Sequence, residues 1–156
     1  MREPPDRSDS GVSAHARVSY VIARLDRAIR REITDMVAPH GLTATQYTAL
    51  SVLRMGKGLS NAQLARRSYV TPQSMIEMLG TLEAKGLIAR SPAPDHGRIL
   101  RTELTAKGRR LLSRCDEALD RIETDMTREL SAEELQSFEY MLRSCVHMLH
   151  AGLTDA

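Results

Sequence analysis

Aromatic side chains are scarce: the 156 residues hold no tryptophan, one phenylalanine and four tyrosines. The core of such a chain is built from Leu, Ala, Ile, Val and Met, residues that helices accommodate well. Cysteine is scarce too. Cys115 and Cys145 stand thirty residues apart with no CxxC pair, and the expectation is a cytoplasmic protein with both thiols reduced. No apolar run approaches the length that spans a bilayer, so no membrane partner is expected. The opening stretch MREPPDRSDSG lacks the apolar segment of a secretion signal; residues 1–12 read as a disordered tail.

Signatures of enzyme chemistry are missing as well. There is no Gly-rich phosphate loop, no G-x-S-x-G elbow, no H-E-x-x-H and no paired carboxylates beside an apolar pocket pattern. No catalytic residue and no cofactor is expected, and the chain does not read as an enzyme. Cys145, His147 and His150 form a C-x-H-x-x-H string, but its two i, i+3 histidines make too few ligands for a metal site.

What is present is ordinary in amount and unusual in arrangement. Apolar content of 42% and charged content of 27% suit one soluble globular domain. The net charge of +2 conceals three blocks. Residues 1–84 carry 11 basic and 8 acidic side chains, residues 85–114 carry 8 and 2, and residues 115–156 carry 3 and 10. A basic block of this kind marks either a polyanion partner or a solvated charged surface.

Helix starts are written plainly. A Ser or Thr N-cap with Gln or Glu three residues on, flanked by an apolar staple, satisfies orphan backbone donors at both ends of the first turn. The pattern occurs at Leu42-Thr43…Gln46-Tyr47, Leu59-Ser60…Gln63-Leu64 and Leu130-Ser131…Glu134-Leu135. A variant at Val70-Thr71-Pro72…Ser74-Met75 places Pro72 at the first helical position. Apolar periodicity adds helices through Val18–Met36, ended by Pro39 and Gly41, from about 105 to 129, and from 132 to 150. The stripes Leu111–Met126 and Leu135–Leu149 approach heptad spacing, the pattern of helices that pack on one another or on a partner chain. Cys115 and Cys145 lie on these stripes and read as small buried thiols. Met75 and Met78 read as helix packing.

The middle of the chain is therefore helix (43–55), helix (60–67), helix (71–85), strand, tip, strand. A short helix, a tight turn and a longer helix followed by a basic two-stranded ribbon is a winged helix-turn-helix. The predicted class is mainly α with a small antiparallel β-hairpin.

Four stretches carry a family resemblance: LTATQYTALSVL (42–53), SNAQLARRSYVTPQSMIEMLGTLEAKGLI (60–88), the ribbon to Arg98, and LTAKG (104–108). Over roughly residues 15–150 the chain resembles the MarR family, the multiple-antibiotic-resistance type of bacterial transcriptional regulators. The resemblance implies a single domain over 13–150, with dimerisation helices at about 15–38 and 105–150, a winged helix-turn-helix at about 42–104 and a short tail at 151–156. It also implies a homodimer on double-stranded, pseudo-palindromic operator DNA, acting as a repressor and released by a small aromatic or anionic effector.

Two departures bear on the site. The reading helix presents Thr71, Pro72, Gln73, Ser74, Glu77 and Thr81, with no positive charge where relatives commonly carry Arg at the places of Glu77 and Thr81. Gln, Glu and Thr can discriminate bases, but phosphate attraction then falls to Arg66, Arg67, Arg90 and the wing. The wing reads His96-Gly97-Arg98 where many members have Asp-Arg-Arg. Gly97 is expected to shape the turn and Arg98 to reach a narrow minor groove. His96 removes an acid that would pair with Arg98 and adds a group titrating near pH 6.5. Two other readings stay open: a regulator of the same fold that senses oxidation or pH through Cys115 or His96, and a dimer binding small molecules or protein that has lost DNA affinity.

Overall fold

The computed structural model describes residues 16–56, 58–93 and 96–149, and the side chains of residue 93 and residues 96–99 lie outside the description. The elements are α1 (Val18–Val37), a 3-10 turn (Ala38–His40), α2 (Ala44–Met55), α3 (Asn61–Arg67), α4 (Pro72–Ala84), β1 (Ile88–Ala93), β2 (His96–Leu104), α5 (Ala106–Thr127) and α6 (Ala132–Met148). The mainly helical class with one antiparallel hairpin is thus as expected. No helix among the described residues is long and apolar enough to cross a membrane.

Local chemistry sets the helix starts. Thr43, Ser60 and Ser131 each accept from the backbone N–H three residues on, while Gln46, Gln63 and Glu134 reach back to the cap residue's own N–H. Thr71 caps α4 through the Ser74 N–H at 3.1 Å, with Pro72 at the first position. α1 has no side-chain cap. Its end is set instead by the 3-10 turn and by Gly41, whose left-handed φ of 67° closes the turn onto the Ala38 carbonyl.

One core runs through the lobe. Leu50 and Leu53 of α2, Leu64 and Ala65 of α3, Met75, Leu79 and Leu82 of α4, and Leu87, Ile88 and Leu104 of the ribbon are buried together. Val37 of α1 and Leu112 and Cys115 of α5 join them. Farther from the lobe the same helices lose cover: Leu119 is half-buried, Met126 is exposed, and the start of α1 leaves Val18, Tyr20 and Val21 in solvent. α6 buries none of its residues. Cys145, expected as a buried thiol, is accordingly exposed, because its stripe meets no cover within the chain.

The LTAKG segment acquires a mechanical explanation. Thr105 caps α5 through the Gly108 N–H at 3.0 Å and donates its hydroxyl to the Gly86 carbonyl at 2.7 Å. Lys107 donates to the Lys85 carbonyl at 2.8 Å. The first turn of α5 thereby presses on the strand entrance, and a Cβ at Gly108 would lie 2.0 Å from the Leu87 carbonyl oxygen. Neither backbone can yield without breaking the Thr105 N–H bond to that same oxygen at 3.0 Å.

Gly108→Ala is therefore expected to cost about 1–3 kcal/mol or more, a fall of roughly 3–10 °C in Tm for a domain of this size. Gly80→Ala, on α4 with open space around it, is expected to stabilise by about 0.5–1 kcal/mol. Thermal unfolding of the two variants side by side checks both signs.

Candidate nucleic-acid interface

Helix α4 is oriented by its own two faces. Met75, Leu79 and Leu82 anchor α4 in the core, with Met78 partly buried beside them. Thr71, Pro72, Gln73, Ser74, Glu77 and Thr81 consequently stand together on the exposed side. Their polar groups are mutually ordered. Thr71 Oγ1 donates to Ser74 Oγ at 2.9 Å, Gln73 Nε2 donates to Glu77 Oε1 at 3.1 Å, and Thr81 Oγ1 donates to the Glu77 carbonyl at 3.2 Å. The first turn of α4 carries no acid, so its N-terminal dipole is left available to an anion.

α3 and α4 are joined by a turn in which Tyr69 holds a left-handed φ of 56°. That conformation costs a non-glycine residue roughly 1–2 kcal/mol, and Tyr69 is 76% exposed, so burial does not offset it. Spacing alone located this turn but did not reveal which residue bears the strain. Arg66 at the end of α3 is exposed, whereas Arg67 is half-buried, its guanidinium beside Gly56 in the α2–α3 link.

The ribbon departs from expectation in two places. Arg90, counted among the phosphate-seeking cations, donates to Glu83 of α4 through Nε at 2.9 Å and again through Nη2. Its hydrogen bonds hold the Glu83 carboxyl below the usual carboxylate range. Arg90 is thus a brace between β1 and α4. Gly97, expected at the tip, stands inside β2. The strands pair Pro92 with Leu100 and then Ala93 with His96, so Gly97, Arg98 and Ile99 fall in the register shift between these pairs. The chain reverses between Ala93 and His96 instead. Pro94 and Asp95 lie outside the described residues, as do the side chains of His96 and Arg98 on which the minor-groove expectation rests.

A polar joint that the sequence pattern did not disclose fastens this lobe to α5. Tyr47 donates its hydroxyl to Asp116 Oδ1 at 2.8 Å, and Arg54 is bonded to the other carboxylate oxygen. Asp116 falls off the apolar stripe of α5, and its partners lie more than sixty positions earlier in the chain. Burial, then the bond to Asp116, pushes the Tyr47 phenol well above its ordinary value. Next to this joint, Cys115 is fully buried, and desolvation followed by the Asp116 charge raises its pKa. Both effects suppress the thiolate that oxidation requires, which favours packing over sensing. Among the described residues no three His, Cys, Asp or Glu side chains gather to hold a metal ion.

Comparison with known proteins matches residues 40–99 to the MarR family. The HTH-type transcriptional repressor Rv2887 of Mycobacterium tuberculosis is 34% identical over 132 residues, covering 85% of this chain and 95% of that protein. The chain belongs to the MarR family. Among solved structures, Rv2887 in complex with DNA aligns at 32% identity with a TM-score of 0.69, over 83% of this chain and 98% of that one. The complex of Rv2887 with salicylic acid aligns at 33% and 0.69, over 86% and 99%. MarR from E. coli in its apo form, at 23% identity and a TM-score of 0.73 over 84% and 97%, shares the fold.

The Tyr47 phenol is held neutral in the folded state, whereas in the unfolded chain it ionises near pH 10. The stability it contributes is therefore complete below about pH 10 and is lost as pH rises toward the folded value. Tyr47→Phe is expected to cost about 1 kcal/mol at pH 7 and to flatten the alkaline decline, measured by urea unfolding at pH 8 and pH 11. An equal decline in both proteins would refute the role of this hydroxyl.

Proposed function

We propose that this MarR-family chain is a homodimeric, sequence-specific DNA-binding repressor, released from its operator by a small aromatic or anionic effector. The observation that carries the reading is the exposed, internally ordered face of α4, held outward by buried Met75, Leu79 and Leu82. Each lobe would set the first turns of α4 in a major groove, with Gln73, Ser74, Glu77 and Thr81 at base edges. Thr71, Pro72 and the helix N-terminus would meet phosphate. Arg66, with support from Arg67, and the wing residues His96, Gly97 and Arg98 would supply the electrostatic attraction that α4 lacks. Arg90 would act through Glu83 by fixing the wing against the helix.

Dimerisation is supported by the uncovered apolar side chains of Val18, Tyr20 and Val21 on α1 and Met141, Val146 and Met148 on α6. Exposed rows of this kind ask for a partner surface, and a second copy supplies the two-fold symmetry that a pseudo-palindromic site mirrors. Half-sites about one helical turn apart, roughly 34 Å, follow from that symmetry. An effector of aromatic carboxylate type is supported by the complex of Rv2887 with salicylic acid. A regulator of this kind performs no catalysis and acts where the chromosome is, in the cytoplasm.

Fluorescence anisotropy on the intergenic DNA upstream of its own gene tests the reading. Specific binding should decline steeply with salt. Arg98→Ala should weaken binding on all sequences and reduce the salt slope by about 1. Gln73→Ala should instead erode discrimination at one position, at about 1–3 kcal/mol. Equal affinity for operator and random duplex at every salt concentration would refute the proposal.

A further inference from the structure

The basic block of the sequence divides in the fold, and part of it turns away from the reading face. α4 runs thirteen residues, about 20 Å, from Thr71 at the end that carries the reading residues to Lys85 at the other. Around that far end the α1–α2 link, the entrance to β1 and the first turns of α5 enclose an open cleft of about 500 Å³. Five basic side chains line it: His40, Lys85, Lys107, Arg110 and Arg114. Among the described residues no carboxylate lines it, and Arg110 and Arg114 have no hydrogen-bond or ion-pair partner.

We infer that this cleft binds a small polyvalent oxyanion, a phosphate compound or a di- or tricarboxylate, at a site separate from the DNA-reading surface. Two guanidinium groups without a carboxylate partner offer paired N–H donors to oxyanion geometry. The volume falls within the usual range for a small-molecule site. Two lysines and two arginines select charge above one, since a monovalent anion would leave most of the cluster uncompensated at short range.

The site is mechanically placed. Lys85 donates to the Gly41 carbonyl, and Lys107 donates to the Lys85 carbonyl at 2.8 Å. These bonds tie the end of α4 to the α1–α2 link and to α5. An oxyanion competes for both ammonium groups, so occupancy bears on how α4 is held. That consequence rests on the repressor reading; the binding itself does not.

The test uses the full-length protein and begins without DNA. Isothermal titration with inorganic phosphate and with citrate, against chloride at matched ionic strength, is expected to show saturable binding of one anion per chain by at least one of them. Whichever binds tighter identifies the oxyanion source, and benzoate is expected to bind at least tenfold more weakly. Arg110→Gln/Arg114→Gln, with an unchanged circular dichroism spectrum, should weaken binding at least tenfold, while Arg66→Gln leaves it intact. The double variant should also keep the wild-type salt slope on operator DNA. No saturable binding of either anion would overturn the inference, as would undiminished binding by the double variant. A salt slope reduced by about 2 would overturn it too, by making these arginines DNA phosphate contacts. The titrations contain no DNA, so their failure is separate from failure of the repressor reading.

Discussion

The approach of the first turn of α5 to the carbonyl of Leu87 is the constraint on which the rest of the architecture depends. The contact is closer than any side chain allows, and Gly108 meets it by having none. Thr105 and Lys107 then bind the carbonyls of Gly86 and Lys85 from the same turn. β1 thereby leaves the end of α4 along a fixed path, and α5 departs from a fixed root. Because α5 runs on for 22 residues, the placement of this one turn sets the direction of a helix about 33 Å long.

From that root outward, the chain changes from self-sufficient to incomplete. The lobe closes its core with Val37 of α1 and Leu112 and Cys115 of α5, and the Asp116 joint to Tyr47 and Arg54 secures α5 to α2 at the border of that core. Beyond the joint the apolar stripes lose cover by degrees, from half-buried Leu119 and Ile122 to α6, where no residue is buried. A lobe with a closed core and a helical platform left open divide the fold in two, and the proposed roles follow that division: DNA contact for the first, a second copy of the chain for the second. Arg90 with Glu83 and Arg54 with Asp116 are paired and structural, whereas Arg110 and Arg114 at the α5 root have no partner among the described residues.

Capping chemistry explains why so much of this was legible in advance. Thr43, Ser60, Thr71 and Ser131 each bond a backbone donor three residues away, an interaction complete within one turn and independent of what packs above it. Periodicity likewise exposed the buried face of α4, since Met75, Leu79 and Leu82 must share one side of any helix. Features requiring two distant segments were less accessible. The role of Arg90 depends on which β1 residues lie over α4, and that of Asp116 on a residue of α2 far earlier in the chain. The position of Gly97 depends on a strand register that a one-residue slip changes entirely. Cys145 is exposed against expectation for a related reason: a stripe shows which face wants burial, not whether the same chain provides the cover.

The sequence by itself determined where the helices begin, which face of α4 turns inward, the presence of a wing and the resemblance that places the chain among MarR-family regulators. Each of these rests on contacts within a few residues or on a local motif. Only the tertiary structure decided that Arg90 is a brace, that Asp116 locks α5 to α2 and that Gly108 is a point of backbone contact. It alone divided the basic segment between wing and cleft. Those outcomes turn on which atoms meet across the fold, and such meetings are fixed by packing geometry rather than by the order of residues along the chain.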